Sequence, residues 1–190
     1  MKNLSVGFAL CGSFCTFQKA LEQMQVLVSL GARVTPIMSE NAYSTDTRFG
    51  SAEHFVNELE DICGNKVIHT ISAAEPVGPK KLFDVLLVEP CTGNTLAKLA
   101  NGITDTAVTM ACKSHLRNSR PLVLAVSTND ALGNSAQNIG RLLNYKNIYF
   151  VPMKQDDCTN KPRSVVADFS QTKNAILSAL NGEQLQPIFC

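Results

Sequence analysis

Residues 84–88 read Asp-Val-Leu-Leu-Val and residues 122–126 read Leu-Val-Leu-Ala-Val, and neither run alternates polar with apolar side chains. A strand of this kind would expose apolar groups on any sheet that has one face in water. It belongs inside a parallel sheet covered by helices on both faces. Parallel neighbours need crossover segments of a dozen or more residues, usually helical, and the chain supplies them in alternation. Strands are expected at Leu4–Leu10, Arg33–Met38, Lys66–Ile71, Asp84–Val88, Leu122–Val126 and Ile148–Val151, which makes an α/β fold with a mostly parallel sheet of about six strands.

Between them, Phe17, Leu21, Met24 and Val28 recur at helical spacing, with Ser13 placed to cap that helix and Gly31 to end it. Further helices are expected near Ser51–Cys63, from Asn94 to Asn101, from Thr104 toward His115, over Ser135–Leu143, and over 171–181. Pro36 lacks a ladder donor, which argues against a central position for the second strand. The polar stretch 154–164 reads as a mobile loop suited to a lid or a partner contact.

At 190 residues the chain suits one domain, residues 1–190, better than two. Its 17% charged residues and formal net charge of +1 include no basic stripe, only short pairs such as Lys80-Lys81, which excludes a nucleic-acid binder. No apolar stretch reaches the roughly 20 residues of a membrane span, so a soluble, cytoplasmic protein is expected. The apolar N-terminal run reads as a buried strand rather than a secretory leader, because Gly12-Ser13 and an amphipathic helix follow it. Seven cysteines without a CxxC pair indicate neither a disulfide framework nor a zinc site.

Ligands of such folds sit beyond the carboxyl ends of the strands, where the strand order reverses. The loops there are Cys11-Gly12-Ser13, Ser39–Thr45, Glu89–Thr95 and Ser127–Ser135. They are rich in Ser, Thr, Gly and Asn and none carries a cluster of His, Asp or Glu, so collectively they offer neutral hydrogen bonds. Gly12-Ser13 at a helix start is suited to an anion, and Ser39 can add a hydroxyl. In residues 90–95, Pro-Cys-Thr-Gly-Asn-Thr, Gly93 is expected to permit an uncommon backbone turn and Asn94 either to read the edge of a flat ring or to cap the helix.

Residues 90–105, PCTGNTLAKLANGITD, resemble the PASANT…AKxANGxAD segment of the flavoprotein family that includes the homo-oligomeric flavin-containing cysteine decarboxylases. The likeness extends through EPVGPKK (75–81), STNDALGNSAQNIGRLL (127–143) and FVPMKQDD (150–157), and covers nearly the whole chain. The resemblance implies a Rossmann-like three-layer sandwich that binds FMN between subunits of a homo-oligomer, a trimer or a multiple of one. It assigns phosphate and ribityl contacts to Gly12, Ser13 and Ser39. It assigns the ring edge to Cys91, Thr92, Gly93, Asn94 and Thr95, and places Ser127, Thr128 and Asn129 near the flavin or its substrate.

Asn94 and Asn129 are the catalytic candidates that the resemblance leaves. The decarboxylases carry a histidine shortly before the fourth strand and a glycine-flanked cysteine. Here His69 lies farther upstream and Cys158 lacks the glycines, which disfavours cysteine decarboxylation. Val126 and Gly133 stand where the family has proline and tryptophan. The most similar branch implies a B-type subunit acting with a nicotinamide-dependent A subunit, which brings NAD(P), in the mother cell of a sporulating bacterium. The joint reaction would oxidise a small dihydro-ring dicarboxylate to an aromatic one. Arg141, and less directly Lys98, Arg117 and Arg120, are candidate partners for its carboxylates. A non-catalytic partner of the A subunit and a decarboxylase of a small acid remain alternatives.

Overall fold

The computed structural model describes residues 1–190. Seven strands form one sheet: β1 (Ser5–Leu10), β2 (Arg33–Met38), β3 (Val85–Cys91), β4 (Leu122–Thr128), β5 (Ile148–Phe150), β6 (Met153–Asp157) and β7 (Lys161–Ala167). The helices are α1 (Phe17–Ser29), α2 (Glu40–Ser44), α3 (Ala52–Cys63), α4 (Ile71–Ala74), α5 (Gly93–Ala100), α6 (Ala107–Leu116), α7 (Ser135–Leu143) and α8 (Thr172–Leu180). The order runs β2-β1-β3-β4, with β5 parallel to the first half of β4 and β7 antiparallel to its second half. The expected mostly parallel α/β sheet is what the chain forms, with β6 and β7 as its antiparallel extension.

The uninterrupted apolar runs take the central places. Every residue of β3 is buried, and so are the first six of β4. α1 covers one face through Phe17, Ala20, Leu21, Met24 and Leu27 and stops at Gly31, whose φ of 84° only glycine adopts without strain. Side-chain oxygens of Ser51, Thr92 and Thr106 cap α3, α5 and α6 by accepting backbone N–H groups. The helix expected from Thr104 therefore starts two residues later, where Thr106 and Thr109 form a reciprocal capping box.

Pro36 lies in β2 at the edge of the sheet, where its missing N–H interrupts no ladder with β1. Its carbonyl accepts the Ile68 N–H at 2.9 Å, and Ile68 returns a carbonyl to the Met38 N–H at 2.9 Å. That single bridge is all that forms of the strand expected at Lys66–Ile71, because Thr70 already caps α4.

Residues 154–164 are not an irregular loop but most of the β6–β7 hairpin. Asp157 Oδ1 accepts the N–H groups of Thr159 and Asn160 at its turn, and Lys161 pairs with Asp156 at 2.7 Å. The hairpin lacks a period-2 pattern because residues 154–156 and 161–163 are exposed on both faces. Its register comes from the pairing of Val165 and Val166 with Thr128 and Ser127.

One carboxyl group lies deep in this core. Glu89 in β3 is fully buried; its Oε2 accepts the Thr172 hydroxyl at 2.6 Å and its Oε1 has no partner. Burial pushes its carboxyl up to about 8 from an ordinary 4.5, against the opposing pull of the Thr172 hydrogen bond. The folded state thus binds a proton that the unfolded chain has released, so this group makes stability fall as pH rises from 4.5 to about 8. The slope is at most about 1.4 kcal/mol per pH unit. Denaturant melts at pH 5, 6.5 and 8 should show Glu89→Gln gaining on the wild type as pH rises. Parallel pH profiles for the two proteins would overturn this assignment.

Candidate functional site

β1 leads to β2 on one side of the sheet, whereas β3 and β4 continue on the other, so the order reverses between β1 and β3. The loops leaving these two strands must part there, and a cleft of about 1170 Å³ opens at their carboxyl ends. Of the residues expected at a ligand, Gly12, Ser13, Thr92, Gly93, Asn94, Ser127, Thr128 and Asn129 line it.

Two contacts tie the walls together. The hydroxyls of Ser13 and Ser127 share a 2.8 Å hydrogen bond across the sheet. Ser13 is thus drawn away from capping α1; it makes no cap bond, and a 3-10 turn at Phe14–Thr16 precedes the helix instead. The Thr16 hydroxyl donates to the Ser13 carbonyl at 2.8 Å and holds that turn.

The second contact is a seam between the starts of α5 and α7. Gly93 has no left-handed φ, so the expected reason for a glycine there does not apply. Closeness is the reason. A Cβ on Gly93 would stand 2.7 Å from Thr128 Oγ1, 2.8 Å from Asp130 Oδ1 and 2.8 Å from Ser135 Oγ. These three atoms already form a network in which the Thr128 and Ser135 hydroxyls donate to Asp130 at 2.6 and 2.9 Å. The Thr128 hydroxyl, more than Ser135, holds the Asp130 carboxyl below its ordinary range.

Three of the expected residues stand behind the cleft rather than in its wall. Ser39 caps α2 by accepting the Ala42 N–H at 3.4 Å. Thr95 is buried and donates to Cys11 Sγ at 3.2 Å. Cys91 is fully buried, and burial raises its thiol well above the usual range, as it raises Cys11 to about 11. Neither buried thiol is a nucleophile at neutral pH.

The cationic candidates also lie elsewhere. Arg141 donates to Asn101 Oδ1 at 3.1 Å and to the Tyr145 hydroxyl at 3.0 Å, Lys98 pairs with Asp105 at 2.7 Å, and Arg120 donates to the carbonyl of Phe83. Arg117 is not in the lining either. His69 stacks on Tyr43 with ring centroids 3.7 Å apart and faces a separate, smaller cleft.

In place of those cations the cleft wall carries Lys19, Arg48 and Phe49, none of which the spacing of the sequence singled out, together with Asp130. Asp130 was within reach of sequence reasoning, standing in the Ser127–Ser135 loop just before a helix. Arg48 and Phe49 lie in what reads as a polar connector. The donors that face the cleft are mostly neutral hydroxyls and amides, and they suit the binding and orientation of a polar ligand rather than proton transfer.

The sequence signature of the Flavoprotein family matches residues 1–176. The B subunit of dipicolinate synthase of Bacillus subtilis (strain 168) is 46% identical over 188 residues, which cover 99% of this chain and 94% of that protein. The crystal structure of the dipicolinate synthase B subunit from Bacillus halodurans superposes with a TM-score of 0.91 at 43% identity, over 100% of this chain and 98% of the other. An FMN-dependent cysteine decarboxylase, SpaF, shares the fold at 20% identity with a TM-score of 0.65, over 93% and 97% of the two chains. With the signature spanning nearly all of the sheet and its helices, and a relative this similar along its full length, the chain belongs to the Flavoprotein family.

Proposed function

We propose that this chain is the B subunit of a dipicolinate synthase. It would hold FMN in the cleft and act with a nicotinamide-dependent A subunit to oxidise a dihydrodipicolinate precursor to dipicolinate in the mother cell of a sporulating bacterium. The observation that carries the reading is the 46% full-length identity to a protein of that name. The composition of the cleft supports it. Gly12, Ser13 and Thr16, with Lys19 one turn on, form a bare-backbone and hydroxyl corner for the phosphate.

The starts of α5 and α7 are the other places where helix N–H groups gather. There Asp130 already supplies the negative charge, so a phosphate is directed to the first corner. Thr92, Gly93 and Asn94 would meet the ring edge, with Ser127 and Thr128 opposite. Ser39, Cys91 and Thr95 would shape these loops from behind. Asn94 and Asn129 are exposed and bonded to nothing in the fold, which leaves their amides free to donate and accept at a substrate.

Bound there, FMN supplies two-electron redox chemistry, and electrons would leave through NAD(P) on the partner. The protein's part is to orient ring and substrate and to keep Asp130 ionised. The open cleft and exposed Ile103 and Leu132 suit a homo-oligomer, a trimer or a multiple, whose neighbours would complete each site.

A second reading, a non-catalytic partner that supports the A subunit, is favoured by one observation: the wall carries no histidine, and the acidic side of its chemistry is already engaged, Asp130 by two hydroxyls and Asp156 by Lys161. Purified A and B subunits, assayed apart and together for dipicolinate formation, separate the two. The synthase reading requires this chain to contribute, with flavin bleaching as precursor is added; a colourless preparation that still activates the A subunit supports the second reading.

Titration with FMN should give saturable binding with a perturbed flavin absorption band, and its absence would sink the flavin assignment. Gly93→Ala should cost about tenfold or more in FMN affinity, because the new methyl group drives apart the Thr128–Asp130–Ser135 network. Wild-type affinity in that variant would show that the seam does not shape the site.

A further inference from the structure

We propose that the turn Thr47–Gly50 is the recognition element of the cleft and selects a planar ring bearing carboxylates, with Phe49 offering a face to the ring and Arg48 a fork to a carboxylate. The proposal names the residues that would recognise the ring dicarboxylate of the proposed reaction and rests on the reading of that cleft as a ligand site.

The charges in the wall point to it. Of the three cations that line the cleft, Lys161 is neutralised by Asp156 at 2.7 Å, while Lys19 and Arg48 have no carboxylate partner. Lys19 stands on α1 beside the Gly12–Thr16 corner, which leaves Arg48 as the free cation outside that corner. Asp130, bound by Thr128 and Ser135, and Asp156, paired with Lys161, are the carboxylates of the lining, so a ligand carboxylate finds its favourable partner at Arg48 and repulsion beside Asp130.

Arg48 is also built for the task. Its Cζ lies 4.8 Å from the centroid of the Phe49 ring, so one face of the guanidinium is covered while its N–H edge stays free for bidentate binding. Phe49 keeps 45% of its surface exposed beside a polar cleft, an apolar face that a flat ring would cover.

The turn is held before any ligand arrives. Thr47 and Gly50 exchange two backbone hydrogen bonds at 3.0 and 3.1 Å, and Thr47 Oγ1 accepts the Phe49 N–H at 3.2 Å. Asp46 ties the turn to α3 by accepting the Ala52 N–H at 2.8 Å. Gly50, with φ of 149°, fits flat against Phe55, whose ring a Cβ would approach to 2.9 Å. Phe55 in turn packs edge-on to Phe17, and Phe17 against Phe14 at the cleft floor. A tip fixed in this way loses little freedom on binding, which favours affinity.

Calorimetric titration of the full chain, with and without saturating FMN, tests the proposal. The probes are pyridine-2,6-dicarboxylate and heptanedioate, an open-chain dicarboxylate. The wild type should bind the ring compound more tightly. Arg48→Ala should weaken both ligands about tenfold or more. Phe49→Ala should weaken the ring compound by about three- to tenfold and leave heptanedioate unchanged.

Both side chains are exposed, so neither variant removes core packing. Affinities within about twofold of wild type in both variants, or no saturable dicarboxylate binding with or without FMN, overturn the proposal. So does a loss of FMN affinity in Arg48→Ala with dicarboxylate affinity intact, which would assign Arg48 to the flavin. FMN affinity is read separately by absorbance. If FMN does not bind but the dicarboxylate pattern holds, the flavin reading falls and this inference stands.

Discussion

The site exists because β1 and β3 are neighbours whose chains leave in opposite directions. Their apolar residues are buried on both faces, and burial of this extent, at roughly 25 cal/mol per Å² of apolar surface, outweighs any preference of the loops. Once β1 and β3 pair from Val6–Val85 to Ala9–Val88, the first loop turns toward β2 and the third toward β4, and a cleft between them cannot close. The Cys11 N–H bond to the Pro90 carbonyl at 3.2 Å fastens the two strand ends at its floor.

On that floor, polarity is set by how few charges enter. Hydroxyls and backbone groups form most of the wall, and the one carboxylate at the start of α7 is consumed by Thr128 and Ser135. An internal anion there complements the helix dipole and removes that end as an anion site. A phosphorylated ligand is thereby oriented by exclusion as much as by attraction. Gly93 makes the arrangement possible, since any side chain would occupy the space in which these three groups meet.

The strands and most helices were legible because burial on two faces and the 3.6-residue period are strong local signals. The segment around Ile68 looked like a strand, since a short β-branched run is the same whether it pairs once or along its length; the cap at Thr70 cut it short. The β6–β7 hairpin left no legible pattern because both faces of its outer half meet solvent, and its pairing with β4 depends on residues distant in sequence. Ser13, Thr92 and Asn94 could be placed at the cleft because their loops follow recognisable strands. The direction of a loop side chain is not encoded locally, so Cys91, Thr95 and Ser39 turned inward while Arg48 and Phe49 turned toward the cleft.

By itself the sequence determined the α/β class, the buried central strands, the loops that converge beyond them and the family, since each rests on local periodicity or on a contiguous motif. Tertiary structure alone decided which residues of those loops face one another, Ser13 with Ser127 and Gly93 with Asp130, and brought the Arg48–Phe49 turn to the same cleft. Those meetings join segments up to 114 residues apart, and their distances are set by the packing of strands and helices rather than by any residue's own preference.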